Sequence, residues 1–256
     1  MKGTESSFRL GFSTADQVRR SIIPTGIVAL DKLLGGGLET GLMYLFYGNR
    51  CLNDDLLRSA VQMQLPAERK GVNSPTIIID SANIIKIDKL TDYSFDLELE
   101  PEEVMERIYI SRAFNSSQTY ALVMEQLPSF FERVPARLLI IAGLPDLYIS
   151  EKMMTGEGLQ QLTHMATKLM TLTLNREIVT LVSAPSSQKN RDLPAGGTAL
   201  SSYAQVHIHV SKSEPYIKYT LAKHPQYPIR RTSRVRPSDF GTTLPLSHFL
   251  DGSDGE

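Results

Sequence analysis

A continuous apolar run, Met43-Tyr44-Leu45-Phe46-Tyr47, ends at Gly48 and is followed by Asn49-Arg50-Cys51-Leu52-Asn53-Asp54-Asp55, which opens an amphipathic segment. A strand that turns through a glycine loop into a helix can cradle phosphate, because the loop and the helix N-terminus both present free backbone N–H groups. In a working loop of pattern GxxxxGK[ST], a lysine neutralises the phosphates and a hydroxyl holds magnesium. Here Asp54 and Asp55 occupy those two positions, and of the glycines only Gly48 remains. A unit charge pair about 4 Å apart is worth on the order of 4 kcal/mol near a protein surface, so exchanging attraction for repulsion predicts loss of ordinary triphosphate binding. The carboxylates also have a plainer reading: in the first turn of a helix they complement its dipole.

Other residues offer less chemistry. His207 and His209 share one face of an expected strand, a spacing that suits a metal, but no third ligand is near, and surface histidines are the expectation. Cys51 is the only cysteine, which excludes an internal disulfide and a cysteine-cluster zinc site. No metal site and no catalytic residue are expected. Basic residues gather in SSQKNRDLPAGGT (186–198), with Lys189 and Arg191, and in YPIRRTSRVRP (227–237), with Arg230, Arg231, Arg234 and Arg236. Both are candidate DNA contacts; the first is equally an ordinary polar loop, the second equally a patch for an acidic partner.

The elements that must position these residues follow from periodicity. Apolar runs at 43–47, 76–80, 107–111, 137–142 and 177–183 read as strands buried on both faces, since a half-exposed strand would alternate. Helical spacing appears over 55–64, 117–131 and 156–175, and earlier at Ile27, Leu30, Leu33 and Leu34, stopped by Gly35-Gly36-Gly37. Alternating strands and helices predict an α/β fold: a mostly parallel twisted sheet flanked by helices. QVHIHVSK and YIKYTLAK around SEP predict a C-terminal antiparallel hairpin extending it. We expect an amino-terminal arm over 1–23, one folded core over 24–240 and a fraying tail over 241–256.

The chain has 256 residues, 41% of them hydrophobic, enough for one sizeable core. With 27 basic and 28 acidic side chains, its net charge is -1, so no global field draws it to nucleic acid and any DNA contact must be local. No apolar run approaches a membrane span, and the opening residues lack a signal core. A soluble intracellular protein is expected, nuclear in a eukaryote and in the cytoplasm or nucleoid of a prokaryote, with no membrane contact.

Three segments in order carry a family resemblance: GFSTADQVRRS (11–21), TGIVALDKLLGGGLETG (25–41) and SRAFNSSQT (111–119). Over most of residues 11–230 the chain resembles the RecA family of strand-exchange recombinases, in the branch of archaeal RadA, the eukaryotic recombinases and their paralogues. The resemblance implies a RecA-like ATPase core. It also implies an acidic residue after the second buried strand, where this chain has Ala82, a magnesium-holding aspartate at the end of the fourth, where it has Ala142, and a phosphate-sensing glutamine on the next, where it has Ser183 and Ala184. An apolar side chain neither accepts a proton nor ligates magnesium. A nucleotide site retaining Gly48 but carrying Asp54, Asp55, Ala82 and Ala142 is therefore expected to be degenerate, with no cofactor.

The resemblance further implies that Phe12 and Ala15, an FxxA motif, anchor the chain to a neighbouring recombinase core. The receiving pocket falls at Ile77, Ile79 and Leu122, where Tyr109 replaces a usually small residue and is expected to fill the cavity. Lys223 falls where relatives cap the ATP of an adjacent protomer; a solvated lysine at a strand end is the alternative. Only ten residues precede the linker-like segment, so the family's amino-terminal DNA-binding domain is expected to be absent. The expected function is a non-catalytic recombinase paralogue that binds an active RadA-type recombinase, or another paralogue, and modulates its filament in homologous recombination and DNA repair, with single-stranded DNA as a further candidate partner. The competing readings are a divergent NTPase using Asp54, Asp55 or Asp80 with a metal, and a structural subunit of a paralogue heterodimer.

Overall fold

The apolar runs become strands because their aliphatic and aromatic side chains fit a pleated surface covered on both sides. A computed structural model describes residues 21–236. The entry segment comprises β1 (Ile22–Ile23), α1 (Val28–Leu33) and β2 (Leu38–Glu39), with β1 and β2 paired antiparallel. There follow β3 (Met43–Gly48), α2 (Leu52–Gln62), β4 (Thr76–Asp80), α3 (Asp88–Asp96), α4 (Pro101–Glu106) and β5 (Ile108–Arg112). Next come α5 (Ser116–Ala121), a π-helical turn at Leu122–Gln126, α6 (Leu127–Phe131), β6 (Leu138–Ala142), α7 (Asp146–Ser150) and α8 (Glu157–Arg176). The chain closes with β7 (Val179–Ala184), α9 (Thr198–Ser201), β8 (Val206–Ser213), β9 (Tyr216–Lys223) and β10 (Arg230–Val235).

Eight strands form one sheet in the order β10-β9-β8-β3-β7-β6-β4-β5. From β8 to β5 the pairings are parallel, and β9 and β10 continue antiparallel. Side chains alternate between two cores. Tyr44, Phe46, Ile78 and Ile140 pack towards α1 and α2, while Met43, Leu45, Ile79 and Ile141 pack towards α6 and α8. This is the fold expected from the sequence.

The differences are local and have physical causes. The helix expected over 117–131 contains the π-helical turn just ahead of Pro128, whose ring excludes the carbonyl four residues back and whose nitrogen carries no proton to donate. The expected hairpin is a three-stranded wing, because the arginine-rich segment, read as a surface cluster, is strand β10. Its composition hides it: RRTSRV offers no apolar alternation, and its place comes from pairing with β9. In SRAFN, Asn115 caps α5 through Gln118 N–H at 2.8 Å, and the Gln118 amide oxygen accepts from Phe114 N–H at 2.8 Å. Among the described residues no helix is long and apolar enough to cross a membrane. Phe12, Ala15 and the tail expected over 241–256 lie outside the described residues.

Candidate functional site

The carboxyl ends of β3, β4, β6 and β7 converge on one crevice, the usual ligand position in an open α/β sheet. Gly48 ends β3 there with φ +122°, and a Cβ would lie 2.1 Å from the Val210 carbonyl oxygen on β8. The close approach of two strands therefore accounts for this glycine without any phosphate.

Asp54 and Asp55 stand in the first turn of α2, where negative charge complements the helix dipole. Asp55 is buried, 1% exposed. Its carboxylate accepts a hydrogen bond from the Tyr219 hydroxyl of β9 at 2.7 Å and pairs with the Arg234 guanidinium of β10 at 2.5 Å. Arg234 also donates through Nε to the Tyr219 oxygen at 2.7 Å, closing a three-membered cluster. Burial pushes the Asp55 carboxyl up to about 6, against the pull of Arg234 and Tyr219. Burial works against the Arg234 charge too, but the adjacent carboxylate more than compensates and raises its pKa. At pH 7 both members are charged.

The remaining positions are also engaged. Asp80 is fully buried and accepts from the backbone N–H groups of Ala82, Ile84 and Ile85 at 3.4, 3.0 and 3.1 Å, with Arg112 Nε 3.8 Å away. Ala142 lies opposite Asp80 in the β4–β6 register. The Ser183 hydroxyl accepts from Gly143 N–H at 2.8 Å and approaches the Asn53 side-chain oxygen at 3.5 Å. Gly48, Arg50, Asn53, Gly143, Asp146 and Ser183 surround a cavity of about 20 Å³, which has room for about one water molecule. Burial pushes the Cys51 thiol up to about 11, so it stays protonated.

A family model described as Rad51 matches residues 18–219. The chain belongs to the Rad51 family. A relative, the DNA repair protein Rad51 homolog of Drosophila melanogaster, is 34% identical over 163 residues, covering 61% of this chain and 48% of the relative. The chain thus spans about half the length of that protein.

Within this Rad51-family core the other candidates are scattered. Arg230 lies over the Tyr227 ring at 4.1 Å, Arg234 belongs to the Asp55 cluster, and Arg236 pairs with Glu214 at 3.5 Å. Arg231 points to the other face of β10, opposite Thr220, so the four arginines do not form one patch. Lys189 and Arg191 are exposed on the loop after β7, as expected. Lys223 is exposed at the end of β9, and its ammonium donates to the carbonyls of Ser201 and Ala204 at 3.3 and 2.8 Å, holding the end of α9. His207 bonds through Nε2 to the Ser201 carbonyl at 3.0 Å, and burial with nearby Lys223 lowers it to about 4. His209 stacks on Tyr47. The described residues contain no cluster of three or more potential metal ligands.

The pocket expected to be filled by Tyr109 is open. A groove of about 510 Å³ runs beside the sheet-edge strand β5, lined by Ile77, Ile79, Tyr109, Leu122, Leu127 and Phe130. Tyr109 stands edge-on to Phe130, ring centres 5.4 Å apart, and forms a wall of the groove without occupying it. The sequence reading missed two crevice residues, Arg50 and Asp146. The only signal for Asp146 is an acidic side chain four positions beyond the end of β6.

Arg234→Met leaves Asp55 buried without its counter-charge and should lower unfolding free energy by about 3–5 kcal/mol in urea titration; adding Asp55→Asn should restore much of the loss. Burial also pushes Asp146 up to about 6, with Arg50 pulling it down, above the ordinary 3.8. The fold therefore favours protonated Asp146: its contribution is fully present below about pH 3.8 and is lost as pH rises through about 6. Asp146→Asn should be more stable than the parent by about 1–2 kcal/mol at pH 7.5 and equal to it near pH 3.5.

Proposed function

We propose that this chain is a non-catalytic recombinase paralogue that binds an active RadA-type recombinase, or another paralogue, and modulates its filament on single-stranded DNA in homologous recombination and DNA repair. The observation that carries the reading is the charge balance of the crevice: a carboxylate stands where a phosphate's magnesium ligand would be, and its counter-charge is Arg234 of the same chain. Ala82 and Ala142 supply neither a proton acceptor nor a metal ligand. Asp80, a candidate for a non-standard metal site, has its oxygens committed to backbone amides. We read the nucleotide site as degenerate and the chain as having no ATPase activity. The name of the Drosophila relative supports the assignment to DNA repair.

The open groove supports the partner-binding half. A strand at the sheet edge among the described residues, beside an apolar trough, suits an extended peptide that adds a strand and buries an aromatic anchor.

The test is a pull-down against the host's active recombinase with three proteins: wild type, Phe12→Glu/Ala15→Glu, and Leu122→Glu. We expect wild type to retain the recombinase and at least one variant to lose it, which identifies whether the arm or the groove makes the contact. Retention by none of the three, or equal retention by all, contradicts the reading.

A further inference from the structure

Among the described residues, Asp146 is a crevice carboxylate with a buried oxygen that no hydrogen-bond donor reaches. Asp55 has Arg234 and Tyr219, and Asp80 has three backbone amides. One oxygen of Asp146 is sealed from solvent and meets no hydrogen-bond donor. A carboxylate held this way raises the free energy of the fold, a pattern found where a side chain serves a ligand. Its surroundings are built tightly: Gly143 has φ +68°, and a Cβ there would lie 2.5 Å from Ala82 Cβ and 3.3 Å from the Asp146 carboxyl.

Outward from the small inner cavity, Asp146 borders a second space of about 320 Å³, walled by Arg50, Ala82, Leu147, Ile149 and Pro185. This is near the lower end of the size range of ligand pockets, roughly 300–1,000 Å³. Its other walls are aliphatic, and its polar side chains are Asp146, Arg50 and Ser150, whose hydroxyl donates to the Leu147 carbonyl at 2.9 Å. Arg50 is close enough to draw the Asp146 pKa down, yet makes no hydrogen bond to it among the described residues. A phosphate entering here would meet the Asp146 charge. A metal ion would find no set of three ligands among the described residues. An alkyl stem ending in a cation matches both the walls and the carboxylate.

We propose that this cleft is a binding site for an arginine side chain of a protein partner, whose guanidinium pairs with Asp146 in the crevice where the family's nucleotide site would lie. The proposal rests on the reading of this crevice as free of nucleotide. A small-molecule probe tests it without any recombinase, so its failure is separable from failure of the pull-down.

The experiment titrates the isotope-labelled full-length chain with N-acetyl-arginine amide and, separately, with its neutral isostere N-acetyl-citrulline amide, following backbone amide resonances by NMR. The expected result is a saturable shift at Asp146, Leu147 and Ile149 with the arginine probe, about tenfold weaker affinity for the citrulline probe, and loss of the preference in Asp146→Asn. Equal binding of the two probes, or an arginine preference that survives Asp146→Asn, would overturn the proposal. So would the absence of any saturable shift.

Discussion

A carboxylate removed from water must find a counter-charge or hydrogen-bond donors, because the desolvation of an unpaired charge costs several kcal/mol. Asp55 finds both in Arg234 and Tyr219, which lie 179 and 164 residues further along the chain. That cluster joins the first turn of α2 to the two outermost strands of the sheet. Without Arg234, β10 would be an arginine-rich edge strand held by backbone pairing to β9 and by its packing against α1. With it, the strand is also tied to the first turn of α2.

The same arrangement accounts for the division between two regions of the surface. At the carboxyl ends of the parallel strands, internal partners take up polar groups other than Asp146: Asp80 caps the turn after β4, Ser183 holds Gly143, and the space left among them is about 20 Å³. At the β5 edge the apolar groove stays open at about 510 Å³. The proposal of work through protein contacts draws on this open apolar groove in a Rad51-family core.

Much of the fold was legible because its signals are local. Continuous apolar runs marked β3 to β7, and the triple glycine marked the end of the first helix. The arginine-rich strand was not legible, since its position depends on the edge of β9 and not on its own pattern. At the site, the sequence places Asp54 and Asp55 at the start of a helix, and both lie in the first turn of α2. The partner of Asp55 was not legible, because no local pattern links residue 55 to residue 234. Tyr109 shows the limit of reasoning from side-chain volume: the residue is large, but its ring leans on Phe130 and leaves the groove free. Asp146 went unnoticed because what sets it apart is a missing hydrogen bond.

The most direct measurement of the central claim is a calorimetric titration of magnesium–ATP into the purified full-length chain at pH 7.5. An internally balanced crevice predicts no saturable heat, and the same null result for Asp146→Asn. Saturable binding that is lost when the inner cavity is blocked by Gly143→Val, in a variant that remains folded, would contradict the account.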